Sequence, residues 1–556
     1  MWKVQLLVNS SGSGGSSLRN SLFGAGCLYL SKDESLSLGE YGCNSKSNPG
    51  ATCMNAISGS HSSYWIDSTP DALFPPLASD ITVDVAIVGG GIAGLTAGAL
   101  LKQAGKTVAV LEAKQIGMGT SGHTTAKITS LHQLIYAELI DAIGEEKAKL
   151  YADSNQAAIA QVAQFVQEHD IDCDFSRLSA FTFADTEKNL DQIQAEVEAA
   201  TRLGLPASFT TESTLPFDIA GAVRFDNQAQ FHVRKYLVHL AKLISGNGSF
   251  VLEQTRVQEV EDGSPCRVMT EHGVVTAQDV LVTTNLPILD QGLYFAKTFP
   301  KRSYIIGAVI DPARSPQGIF IGVGDDYHSI RTTPHPEGTL LLIGGGGHKV
   351  GAISDTEDRY AGLVDYGRSH FGIETVQYYW SSQDVVSFDR IPYIGKLTPL
   401  SQHVYVATGF SLWGMSNGTL SGMLLADLVQ GIENPWASLY DSTRATPFFT
   451  SKSLKNNLET AAHWVGDRLK GLTDSLQDVG KGEGKLVTVN GHKVAAYRDA
   501  TGELHAVSAT CTHLGCIVNW NSAEKSWDCP CHGGRFSCTG EVLHGPPTAP
   551  LKPLEK

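Results

Sequence analysis

Along this chain the apolar residues fall into two rhythms, and the places where one gives way to the other outline the architecture. Thr82–Val88 (TVDVAIV) is an apolar run suited to a buried strand; after the glycine-rich stretch Gly89–Gly94, Leu95–Gln103 reads as an apolar helix, and Thr107–Leu111 as a second strand ending in Glu112. From about Leu134 to Glu168, Leu, Ile, Ala and Val return at helical spacing. Further strand patterns lie at Val251–Asp262 and Asp279–Pro287, and Tyr405–Leu428 reads as a strand, a Gly-rich turn and a long helix. Tyr304–Asp311, His328–Arg331, Leu341–Val350 and Val376–Ser382 read as one antiparallel sheet. Leu454, Leu458, Ala462, Val465, Leu469 and Leu472 predict an amphipathic helix that docks its stripe on a surface. After Gly480–Gly484, Lys485–Cys511 reads as three short strands separated by Asn490-Gly491 and Thr501-Gly502 turns. Residues 1 to about 80 have no such rhythm, being rich in Ser, Gly and Asn, and read as a disordered leader. Leu22–Leu30 is a poor signal segment, with little preceding positive charge, and Met54 is an alternative start.

Composition adds bounds. At 556 residues several domains are expected. A net charge of -15 and a pI near 5.6 argue against nucleic acid or an anionic membrane as partner, since both call for a basic face. No apolar run approaches the length of a membrane span. Of the ten cysteines, Cys511, Cys516, Cys529, Cys531 and Cys538 cluster, while Cys27, Cys43, Cys53, Cys173 and Cys266 are scattered. That distribution fits a cytoplasmic metal protein better than a secreted, disulfide-stapled one.

Two stretches carry chemistry. In the first, Gly89, Gly91 and Gly94 form G-x-G-x-x-G between a strand and a helix: a tight turn, room for a pyrophosphate, and close helix packing. The helix N-terminus offers N–H groups to the phosphates, and Glu112 is placed for ribose hydroxyls. Leu341–Val350 contains four glycines, but their spacing does not match a second site of this kind. In the second stretch, Cys511-x-His513 and Cys529-x-x-His532 place two thiolates and two imidazoles in Gly/Pro-rich loops. That set suits a [2Fe-2S] centre with sulfurs on one iron and nitrogens on the other. Tetrahedral zinc is the alternative, although zinc fingers usually group like ligands in one knuckle whereas each knuckle here mixes them. Arg302, Tyr327, Arg331 and Arg390 are candidate substrate contacts, with a structural ion pair as the other reading for the arginines.

The small-residue loop Gly117–Ile128 after Glu112 resembles the flavin-contacting loop of the D-amino-acid oxidase (DAO) family of FAD enzymes. The last eighty or so residues resemble the Rieske family. These resemblances imply a Rossmann-like α/β FAD-binding domain with an α+β antiparallel-sheet substrate domain over 81–450, a linker helix over 451–475 and an all-β Rieske domain over 476–556. For the flavin they imply contacts from Val257 near the adenine and from Gly409, Gly414, Met415 and Ser416 at the pyrimidine edge. His123 stands where some relatives attach FAD covalently, but Gly122 replaces their preceding Trp. For the cluster they imply Cys511, His513, Cys529 and His532 as ligands and a Cys516–Cys531 disulfide. High-potential Rieske proteins continue CPCHGS-x-Y, whereas this chain has Gly534 and Phe536, which implies a lower potential. The combined expectation is an oxidoreductase that takes hydride from an amine or amino acid onto FAD and passes single electrons through the cluster to a carrier protein or quinone-like acceptor. An oxygen-using oxidase with a sensing cluster and a non-enzymatic electron-transfer protein are the alternatives.

Overall fold

The computed structural model describes residues 57–324, 327–353, 356–445, 454–458, 460 and 475–554. Four sheets organise these residues. The first is built around parallel strands in the order Val404–Thr408, Gly273–Val282, Ile81–Val88, Val108–Leu111 and Phe250–Leu252, with Tyr393–Lys396 antiparallel on one edge. Val85–Val88 and Val108–Leu111 are buried at every position, as strands covered on both faces must be. Helices Ile92–Gln103 and Gly414–Gln430 cross so closely that a Cβ on Gly422 would stand 2.6 Å from Thr96 Cβ and 2.8 Å from Ala93 O. Only the missing side chain allows that approach.

The second sheet runs Tyr378–Ser387, Thr298–Ile310, Gly338–Lys349, Ser329–His335, Ile319–Gly322, Ser176–Ala184, Gly221–Gln230 and Lys127–Ile128, with Ala207–Thr210 alongside. It is antiparallel except where Ile319–Gly322 meets Ser176–Ala184. The glycine-rich Leu341–Val350 stretch falls inside it, as its strand pattern predicted. The helical pattern of 134–168 divides at Gly144 (φ 84°) into Tyr136–Ile143 and Glu145–Glu168. The C-terminal module contains the sheet Gly484–Val489, His492–Arg498 and Leu504–Ser508, which are the three expected strands, and a second sheet of four short strands from Asn519 to His544.

Two expectations need correction. Residues 57–80 are not a disordered leader: Trp65 is fully buried and its indole N–H donates to Thr124 O at 2.7 Å, while Ser63 Oγ donates to Gly122 O at 2.6 Å. Two aromatics and bonds to the backbone of a neighbouring loop tie this segment down, and neither produces a periodic apolar pattern. The linker helix lies largely outside the described residues. Within 454–458, Leu454 and Leu458 are 61% and 62% exposed, so this turn does not bury the expected stripe. Lys455, itself exposed, and Asn456 border the large cavity, and Asn457 Nδ2 donates to Ala296 O.

Candidate active site and metal centre

The C-terminal edge of the parallel sheet opens into a cavity of about 920 Å³, at the upper end of the size usual for ligand sites. Gly89 turns the chain with φ 110°, and a Cβ on Gly94 would lie 2.2 Å from Gly89 O, so strand and helix are joined as tightly as the sequence pattern predicted. Gly91 stands at the N-cap of the Ile92–Gln103 helix and lines the cavity. Glu112 accepts from Gly90 N and Lys114 N, each at 2.9 Å; burial raises its pKa and these two N–H groups oppose the rise. Val257 and His123 also line the cavity, His123 with Nδ1 bonded to Gly119 O at 2.9 Å.

At the other end, Gly409 (φ 77°) leads through Ser411 and Leu412, both left-handed at 55° and 71°, into the helix that begins at Gly414. Backbone strain of this kind persists only where the surroundings enforce it. Asp384 supplies the restraint: its Oδ2 accepts from Leu412 N at 2.7 Å and its Oδ1 from Val385 N at 2.8 Å. Burial pushes Asp384 up to about 6, against those bonds and one from Asn285. The helix has no side-chain cap, so the N–H groups of its first turn, from Gly414, Met415 and Ser416, are available at the cavity wall. Buried His132, held down to about 3 by its surroundings, stacks on Trp413 and bonds Ser416 Oγ at 2.9 Å, fixing that turn.

The four substrate candidates separate into two pairs. Tyr327 and Arg390 line the cavity. Burial raises the Tyr327 hydroxyl, and Lys301 Nζ lies 5.6 Å from its ring centroid; Arg390 is bound to Glu138 at 2.6 Å. Arg302 and Arg331 do not line it. Arg331 is 1% exposed, donates to Thr125 O and Ala126 O, and lies over the Trp65 ring. Arg302 is fully buried in an ion pair with Asp528 at 2.9 Å. Neither guanidinium reaches the cavity: Arg331 is turned onto backbone carbonyls and the Nη1 and Nη2 groups of Arg302 onto Ser381, Gln383 and Asp528, with Arg302 Nε buried and without a partner among the described residues.

Sequence reasoning missed Lys127. It lies on a short strand at the edge of the cavity, with Nζ 2.5 Å from Ser329 Oγ and 5.8 Å from the Trp413 ring, and burial, helped by Arg331, lowers it to about 7. A lone cation beside apolar Ile128 was its one sequence signal. Asp384 and His132 gave none, since their roles depend on turns distant in sequence.

The second site lies in the C-terminal module. The Cys511 and Cys529 sulfurs hydrogen-bond to each other, and each also receives backbone N–H groups, from His513 and Leu514 in one loop and from Cys531 and His532 in the other. His513 Nδ1 and His532 Nδ1 are buried with no partner. Two sulfurs side by side and two orphaned imidazole nitrogens are the donor set that a [2Fe-2S] cluster with mixed ligation satisfies, so the residues fit the group. Burial and neighbouring His513 hold His532 near 3, in the neutral form that ligates. Cys516 and Cys531 form a disulfide linking the two loops, and Cys529 Sγ lies within 4.8 Å of both its sulfurs. Cys538 is a free, partly buried thiol.

The two modules are firmly joined. Arg302 is also held by Ser381 and Gln383, Gln383 Nε2 donates to Gly533 O at 2.6 Å, and Tyr360 donates to Glu524 at 2.8 Å. Burial would raise Asp528, but Arg302 and Arg535 outweigh it and keep the carboxylate charged. Residues Val542–Gly545 and Pro547–Thr548 of the C-terminal module form part of the cavity wall.

Comparison with known proteins agrees with both sites. Residues 84–428 match the model of the FAD-dependent oxidoreductase family named DAO, and residues 472–555 match the Rieske [2Fe-2S] domain. The chain belongs to the DAO family of FAD-dependent oxidoreductases and carries a C-terminal Rieske domain; its cofactors are FAD and a [2Fe-2S] cluster. It is 37% identical to the putative Rieske 2Fe-2S iron-sulfur protein YhfW of Bacillus subtilis, over 88% of this chain and 97% of that protein. It is 26% identical to gamma-glutamylputrescine oxidoreductase of Escherichia coli, over 66% of this chain and 89% of that one. Glycine oxidase from Geobacillus kaustophilus shares the fold with a TM-score of 0.56 at 21% identity, over 66% of this chain and 99% of its own. Among the described residues no helix is long and apolar enough to cross a membrane.

Proposed function

We propose that this protein oxidises a small amine or amino acid at the carbon bearing nitrogen and delivers the electrons one at a time, through its Rieske domain, to an external acceptor. The observation that carries the reading is that one cavity is walled by both modules: the glycine-loop and Gly414-helix residues of a flavin site, the substrate sheet, and Val542–Thr548 beside the cluster loops. When bound, FAD supplies two-electron acceptance as hydride and the cluster one-electron transfer, so the pair converts one kind of chemistry into the other. In this reading Gly89, Gly91, Gly94, Glu112 and Val257 hold the adenosine and pyrophosphate part of FAD. The N–H groups at Gly414, Met415 and Ser416 meet negative charge at the flavin ring with the positive end of a helix dipole.

Lys127, Tyr327 and Arg390 orient the substrate from the sheet side. The amine is bound neutral, so no separate base is required, and the imine produced is hydrolysed by water. Relatives named for glycine and gamma-glutamylputrescine support an amine or amino-acid donor. The external acceptor is a carrier protein or a quinone-like molecule, and the clustered cysteines favour a cytoplasmic setting.

Anaerobic addition of amines and amino acids to the holoprotein tests the reading. A true substrate bleaches the flavin absorbance and then produces the reduced-cluster EPR signal. Bleaching without a reduced-cluster signal, followed by peroxide formation once air is admitted, would favour an oxidase, and no bleaching with any amine would overturn the proposal.

A further inference from the structure

The imidazole that the cluster site takes from the first loop is held from outside its own module. His513 Nε2 lies 2.8 Å from Oδ1 of Asp290, which sits on the short turn Asp290–Gly292 of the FAD module. Among the described residues no other hydrogen bond or ion pair is made by the Asp290 side chain, and it is about half exposed. Next to it Phe295 packs edge-on against both cluster histidines, with centroids 5.0 Å from His532 and 5.8 Å from His513. The two imidazoles are only 7% and 8% exposed as a result.

The bond has a chemical consequence. A carboxylate only accepts, so Nε2 carries the proton and Nδ1 is left with a lone pair, and Nδ1 is the buried atom without a partner. Carboxylates that accept from the far N–H of a ligating histidine fix its tautomer and raise its basicity.

We infer that Asp290 is an outer-shell positioning residue for the Rieske cluster, supplied by the FAD module, which lowers the cluster potential and commits the histidine edge to the FAD module rather than to an outside acceptor. The inference rests on His513 and His532 being ligands, and it does not depend on which substrate the flavin site takes. A negative charge and a more electron-rich imidazole both favour the more positive, oxidised cluster, so the two effects have the same sign. With both histidines covered by Asp290 and Phe295, the external acceptor receives its electron over another face of the C-terminal module.

The test is a mediated redox titration of the full-length holoprotein, followed by EPR without substrate. In Asp290→Ala the ratio of reduced to oxidised cluster at a fixed potential should rise at least tenfold, a shift of about 59 mV upward for a one-electron couple. Asp290→Asn keeps an acceptor but loses the charge and should shift by less, while Asp290→Glu should return toward the parent value. Asp290 is half exposed and, among the described residues, its side chain bonds only His513, so these variants leave the fold intact; the cluster absorbance verifies that before titration. A midpoint for Asp290→Ala equal to or below the parent's would overturn the inference. Because no substrate is present, that failure is separate from any failure of the amine-oxidation reading.

Discussion

The cluster pocket and the substrate cavity solve opposite problems within one chain. The cluster pocket draws all its candidate ligands from the stretch Cys511–His532, pins its two loops with a disulfide, and buries two imidazole nitrogens that have no partner among the described residues. The cavity is lined from almost the whole length of the FAD module, and two of its cations have exchangeable partners: Lys127 a hydroxyl and Arg390 the half-exposed Glu138. The candidate site for a permanent group is thus built from one short stretch, whereas the site for a passing substrate is assembled from many. Between them lies the buried network of Arg302, Asp528 and Arg535, which keeps the two sites at a fixed separation.

The largest effect that could break this contrast concerns the cluster. His532→Ala should abolish the reduced-cluster EPR signal while leaving flavin bound in its separate site; a normal signal would remove His532 from the ligand set. Next is the network between the sites. Replacing Arg302 by Met leaves the buried Asp528 with Arg535 as its remaining ion-pair partner among the described residues, beside the hydrogen bonds from Asn521 and Ser526, and breaking such a buried pair costs about 3 kcal/mol of stability, to be read as a lowered denaturation midpoint.

Lys127 sharpens the contrast through pH. Its folded pKa of about 7 lies below the ordinary value of 10.5, so between these values the unfolded chain holds the extra proton and stability rises with pH. Lowering the pH through about 7 completes the loss of that stability. Urea midpoints measured from pH 7 to pH 10 should therefore climb in the parent relative to Lys127→Met, in which this contribution to the slope is absent.

The smallest effect is expected at Phe536, fully buried in the core around the cluster cysteines. A hydroxyl donating to a cysteine sulfur favours the reduced cluster by about 1 kcal/mol, or ~40 mV for one electron, so Phe536→Tyr should raise the midpoint by that amount. The counterpart at Gly534 is harder to restore, because a Cβ there would meet Pro547 Cγ at 2.7 Å.

The same contrast explains what could be read from residues alone. The candidate cluster ligands and the G-x-G-x-x-G unit are local: spacing within one loop or one strand-turn-helix already brings their residues close together. The parallel strands and the antiparallel sheet were likewise legible, since burial on one or two faces dictates the alternation of apolar residues. Lys127, Asp384 and Asp290 were not, because each acts on a partner far away in sequence, and beyond the apolar neighbour of Lys127 nothing around them differs from an ordinary surface charge. Arg302 and Arg331 illustrate the converse: a guanidinium suits a carboxylate substrate, an aspartate or a row of backbone carbonyls equally well, and only packing tells which it found. Residues 57–80 were misread because two well-placed aromatics and a few backbone bonds anchor a segment whose composition is that of a loop.

The central claim is that electrons pass from the FAD module to the cluster within a single chain. Rapid mixing of the fully oxidised holoprotein with a bleaching substrate, under anaerobic conditions and across a wide range of protein concentration, tests it most directly. The account predicts that the cluster is reduced after the flavin at a rate constant that does not change with protein concentration. A rate that rises in proportion to concentration would mean that electrons travel between molecules, and would contradict it.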